Sequence, residues 1–179
     1  MLRRRDFVVG VLAAGLAVAA TLGFVALTKY MRGAKELTLN STDLADADLV
    51  TPPSAHGASE TVERLKSLLA QKGIQVFAHI DHAAGAEKVG MSLRPTQALI
   101  FGTPQAGMPL MQSQQTIGLD LPLRVLVWED GAGQVWLTYR RPEFLARRHH
   151  VADHDEAVKA LDDGLAALAR VATAQESGR

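Results

Sequence analysis

The stretch Leu99-Ile-Phe-Gly-Thr-Pro-Gln-Ala-Gly-Met-Pro-Leu-Met111 decides how the fold is read. It begins inside a continuous apolar run, Ala98 to Phe101, which is short for a helix and suits a buried strand. Gly102 to Gly107 breaks the run as a Gly/Pro loop, and Pro109 to Thr116 predicts a short helix.

Upstream, Ile74, Val76, Ala78 and Ile80 alternate with Gln75, Phe77, His79 and Asp81, which predicts a strand with the first set on one apolar face. Before it, Val62, Leu65, Leu68 and Leu69 recur at helical spacing, with Ser59 as N-cap and Gly73 as stop. Asp48 to Thr51 reads as a first strand ended by Pro52-Pro53, and Ala83 to Gly90 as one or two helical turns. Downstream, Leu121, Leu123, Val125 and Val127 alternate up to Asp130-Gly131, and Val135, Leu137 and Tyr139 alternate on the partner strand of a hairpin. Pro142 to Arg148 forms a short segment. Asp153 and Glu156 make a capping box for a last helix with Val158, Leu161, Leu165, Leu168 and Ala172 as its stripe. Strands mixed with two substantial helices give an α+β fold: a single compact domain, its mostly antiparallel sheet covered by helices, behind an N-terminal hydrophobic segment.

That segment is Phe7 to Leu27, an uncharged run long enough to span a bilayer. Arg4-Arg5-Asp6-Phe7-Val8 ahead of it is similar to a twin-arginine export signal, with Arg3 where a Ser or Thr usually stands. Ala17-Val-Ala19 offers a small-x-small cleavage site, but the apolar run continues to Leu27, which favours an uncleaved span. Residues 1–28 are therefore read as an anchor or twin-arginine-like signal, 29–47 as a linker, 48–174 as the domain and 175–179 as a tail. The expected location is the cytoplasmic membrane, single-pass, with the C-terminal domain in the periplasm or outside.

The 179 residues carry 19 basic and 19 acidic side chains. Six of the basic groups (Arg3, Arg4, Arg5, Lys29, Arg32, Lys35) and two acidic ones (Asp6, Glu36) flank the apolar run, leaving 13 basic and 17 acidic groups from residue 37 onward. A mildly acidic domain argues against nucleic acid as a partner. With no Cys, disulfides, thiolate chemistry and cysteine metal sites are excluded.

The Leu99–Met111 stretch, together with Phe77 to His82 and Gly118-Leu-Asp-Leu-Pro122, resembles the domain of unknown function 302 family. Over roughly residues 48 to 172 the resemblance implies one sheet covered by helices and association as a homodimer. It also implies a hallmark Asp-His position at Asp81-His82. The family pattern has Asn at position 103 and Thr at 108, where this chain has Thr103 and Met108. The loss of that amide and hydroxyl weakens polar ligand contact at those positions.

Asp81 and His82 leave the strand beside Ala83-Ala84-Gly85, where a carboxylate can orient an imidazole as a general base. The structural alternative has His82 and Asp81 satisfying the next helical turn. Gly102, Thr103, Pro104 and Gly107 allow close backbone approach to a ligand, although such residues are also common turn formers. His149, His150 and His154 suggest metal ligation, with a solvated loop as the plainer reading. Trp128 and Trp136, with Arg124 and Arg140, suit cross-strand packing or a dimer face. The leading expectation is a dimeric module that binds a small ligand or a partner protein and needs no cofactor. The alternatives are a small enzyme using Asp81 and His82 for acid–base chemistry, and a histidine-based metal handler.

Overall fold

The computed structural model describes residues 48–175; the expectations for 1–28 and 29–47, and all of the 175–179 tail but its first residue, lie outside them. Among the described residues, no helix is long and apolar enough to cross a membrane. The chain runs β1 (Leu49–Val50), α1 (Ala58–Gln71), β2 (Gln75–Asp81), α2 (His82–Glu87), β3 (Thr96–Gly102) and α3 (Pro104–Ser113). A 3-10 helix (Gln115–Leu119) follows, then β4 (Leu123–Glu129), β5 (Val135–Arg140), α4 (Pro142–Arg148) and α5 (Asp155–Thr173). The strands form one antiparallel sheet in the order β1-β5-β4-β3-β2, so the fold is α+β.

Alternation along the strands sends Leu99, Phe101, Val125, Val127, Leu137 and Tyr139 to the buried face. There α1 and α5 pack on each other, and α1 also packs on β2, β3 and β4. Val62, Leu65 and Leu69 from α1 and Leu165, Leu168 and Ala172 from α5 complete the core. Each such large side chain contributes about 1.5–3 kcal/mol by burial. The opposite sheet face carries Ile100, Leu126, Trp128, Trp136 and Thr138, all partly exposed. Trp128 and Trp136 are directly opposed across β4 and β5 and stack with ring centroids 6.4 Å apart. The hairpin between these strands is held by Asp130. Its carboxylate accepts the Ala132 and Gln134 N–H groups and the Trp136 indole N–H, while Gly133 supplies a φ of 81°.

Three local expectations need correction. Gly57, not Ser59, caps α1. The helix begins at Ala58, and buried Thr61 ties its hydroxyl to Gly57 O at 2.9 Å and to Ser54 Oγ at 2.7 Å. His154, not Asp153, caps α5. The Asp153 carboxylate instead accepts the Ser113 hydroxyl at 2.6 Å, which lowers its pKa.

The third correction concerns β2. Val76 pairs with Phe101 but Ala78 with Ile100, which leaves Phe77 as an extra residue in a β-bulge. Directly paired residues share a face, so the alternation reverses at this point. Ala78 and Ile80 join Ile100 and Ala98 on the open face, while His79 and Asp81 join Leu99 and Gln97 on the helix-covered side. The His79 Nε2 to Gln97 Oε1 contact of 2.8 Å follows from that reversal.

Candidate functional site

The Gly102–Gly107 segment is not a loop. Gly102 is the last residue of β3, Thr103 is the N-cap of α3, and Pro104 opens the helix. Proline is favoured there because the first helical N–H has no partner within the helix and the fixed φ is already helical. The expected Pro109–Thr116 helix is therefore longer at its start and ends at Ser113, with a 3-10 helix beyond. The Thr103 side chain makes no capping hydrogen bond.

Two apolar cavities meet at this junction. One, of about 220 Å³, lies between the end of β3 and α5, lined by Ile74, Phe101, Ala106, Leu161, Leu165 and Leu168, with Lys72 at its edge. The other, of about 270 Å³, is lined by Phe77, Pro104, Gly107, Met108, Met111, Leu121 and Pro122. Gly102, Thr103, Ala106, Leu123 and Leu161 border both. A Cβ built on Gly107 would stand 3.8 Å from Leu121 Cδ1 and 3.9 Å from Met111 Cε, so that glycine faces the second cavity. Phe77 and Met108, 49% and 52% exposed, stand at its mouth, and the bulge places Phe77 there. Of the sequence-derived candidates, Gly102, Thr103, Pro104 and Gly107 line this space, whereas Asp81 and His82 do not.

Asp81 is the N-cap of α2, and its Oδ1 accepts the Ala84 N–H at 2.9 Å. His82 is the first helical residue and is exposed. No hydrogen bond or ion pair joins the two among the described residues. In this structure the carboxylate, engaged with a backbone amide, and the ring, in solvent, take the places of a helix cap and a first helical residue.

A second polar centre lies at the far end of α3. His149, 8% exposed, places Nε2 2.7 Å from Asp120 Oδ2 and Nδ1 3.2 Å from Thr116 Oγ1. The ring thus bridges the two, one nitrogen meeting the carboxylate and the other the Thr116 hydroxyl. Asp120 Oδ1 lies 3.8 Å from Arg140, whose Nε donates to Asp48 at 3.0 Å. Burial raises the Asp120 pKa, but the His149 hydrogen bond and the charges of Arg148, His149 and Arg140 outweigh it and hold the group below its ordinary value. Sequence reasoning missed Asp120 as a site residue, although it lies within Gly118–Pro122. The only signal was a charge between two leucines.

The three histidines considered for metal diverge. His149 turns inward to Asp120, His150 takes a left-handed φ of 58°, and His154 caps α5. Among the described residues there is no group of three His, Asp or Glu placed to hold a metal ion.

The model for the domain of unknown function DUF302 matches residues 50–168. The chain belongs to the DUF302 family. A crystal structure of an uncharacterized conserved DUF302 protein from Bacillus stearothermophilus superposes with a TM-score of 0.63 at 22% identity, covering 69% of this chain and 97% of that one. At that identity the likeness concerns the fold. Two curated relatives are named fluoride-specific ion channel FluC 1, of Brucella suis biovar 1, and fluoride-specific ion channel FluC 2, of Brucella melitensis biotype 1. Each is 41% identical over 167 residues, which is 89% of this chain. The chain spans 66% and 62% of their lengths, less than two thirds of either. A match to 89% of the chain exceeds what residues 48 to 179 supply, so the similarity reaches into the first 47 residues.

Proposed function

We propose that the chain is a membrane-anchored, extracytoplasmic module that binds a small apolar ligand at the junction of β3 and α3. The observation that carries this reading is the pair of adjoining cavities, whose lining is almost wholly hydrocarbon and thioether. A dry concave surface with few polar groups is the usual form of a small-molecule site. The anchor rests on the uncharged Phe7–Leu27 run and on similarity to channel-named relatives that extends into this part of the chain. Fluoride remains the relatives' ion, because it needs hydrogen-bond donors and this lining offers mainly methyl, methylene and aromatic groups. The reading includes a homodimer formed through the open sheet face, supported by the partly exposed Ile100, Leu126, Trp128 and Trp136. Sedimentation of the full chain tests that part.

The binding claim is tested with methyl-labelled methionine in the full chain, held in phosphatidylcholine nanodiscs and titrated with 1-octanol. Saturable shifts at Met108 and Met111, with Met91 silent, are expected. Gly107→Leu, which places a side chain in the second cavity, abolishes them. Shifts that never saturate, or that survive Gly107→Leu, overturn the reading.

A further inference from the structure

The two cavities contain little that is polar, and its placement is selective. Lys72 is the one charged residue on either lining, and Thr103 supplies the one side-chain hydroxyl. Neither side chain has a hydrogen bond or ion pair among the described residues. Both stand at the same end of the sheet: Lys72 is the C-cap of α1, just before β2, and Gly102, beside Thr103, pairs with Gln75 at the start of β2. Three of the four carboxylates on α5 face elsewhere. Asp155, Asp162 and Asp163 border a separate depression with Glu143 and Lys159. From Lys72 the apolar wall runs past Ala106 and Leu161 into the second cavity, and it ends at Phe77 and Met108.

We infer that the ligand is an amphiphile with one anionic head, a carboxylate or a phosphate, held at Lys72 and Thr103 with its hydrocarbon tail crossing beneath Ala106 into the second cavity. This rests on the apolar-ligand reading above and adds the charge of the head and the direction of the tail. An ammonium and a hydroxyl without partners give an anion two donors at the edge of a low-dielectric space, where an ionic hydrogen bond is worth more than in open water. The N-terminal end of α3 adds positive potential at the same place. The tail needs only non-directional contact, which the remaining lining provides.

The experiment measures affinities from the methyl shifts of Met108 and Met111 in nanodisc-held full chain, using octanoate, octyl phosphate, 1-octanol and octylammonium. Partition of each probe into empty discs is measured separately, and affinities refer to the free probe concentration. Octanoate or octyl phosphate binding about tenfold more tightly than 1-octanol is expected, because a hydrogen bond to a charged group contributes about that much. Whichever of the two binds more tightly identifies the head. Lys72→Met removes the preference while leaving 1-octanol unchanged, and Lys72→Glu transfers it to octylammonium. Thr103→Val weakens the anions alone, since the hydroxyl it removes caps nothing in the protein. Equal binding of all four probes, with Lys72→Met silent, overturns the anionic head and leaves the apolar reading standing. No saturable binding by any probe overturns both.

Discussion

The two ends of α3 solve opposite problems. At its start, apolar side chains surround volume that the chain does not fill. At its end, Thr116, His149, Asp120, Arg140 and Asp48 are linked to one another, and no buried side-chain nitrogen or oxygen among the described residues lacks a partner. The second region contains the residue types of an active site, yet its groups satisfy one another. The first contains almost no reactive chemistry, yet it has room. On the proposed reading, binding capacity follows from unmet contacts, and these lie at the apolar end.

The comparison is tested most strongly by His149→Leu. Removing the ring leaves the Asp120 carboxylate partly buried without its closest donor, and a loss of about 3 kcal/mol in urea unfolding is expected. Octanol binding at the opposite end is unaffected. A loss below about 1 kcal/mol would show that the polar end is not a structural clasp.

Acid probes the same clasp more gently. The folded-state pKa of Asp120 is depressed, so its stabilising contribution is complete above the ordinary aspartate value of 3.8. That contribution is lost as pH falls through the lower folded-state value. Asp120→Asn should therefore flatten the decline of stability below that pH, and parallel wild-type and variant curves would contradict the assignment.

Asp81→Ala removes the α2 cap and should cost about 1 kcal/mol. His82→Ala, at an exposed site, should stay within about 0.5 kcal/mol. Equal, large losses from the two would restore them as a functional pair. The smallest effect has the opposite sign. Gly107→Ala adds a helix-favouring methyl at ordinary contact distances and should stabilise the domain by about 0.5–1 kcal/mol. A destabilisation there would mean that the cavity wall is already packed.

Much of this was legible from the residues. Leu121 to Val127 and Val135 to Tyr139 alternate without interruption, and the structure pairs them as a hairpin. Val158 to Ala172 keeps helical spacing, and α5 buries most of that stripe. The β2 faces differ from the expectation because Ile74, Val76, Ala78 and Ile80 keep period two through the bulge, and apolar Phe77 is the one departure from it. The start of α3 was misread because Gly, Thr, Pro and Gly are turn formers as well as cap, first-turn and helix residues. Asp120 was missed because its partner lies 29 positions away, and nothing local in Gly118–Pro122 signals an imidazole at 2.7 Å.

Asp48, finally, is held twice. Its carbonyl accepts the Arg141 N–H at 2.8 Å, and its carboxylate accepts Arg140 Nε. Any pull on the chain ahead of the domain therefore enters at one edge of the sheet, along a two-residue strand paired antiparallel to β5. A strand gripped along its length resists in shear, with several bonds sharing the force, whereas one peeled from its end yields a bond at a time. Arg140 also stands 3.8 Å from Asp120, so Asp48 is connected through it to the His149 clasp.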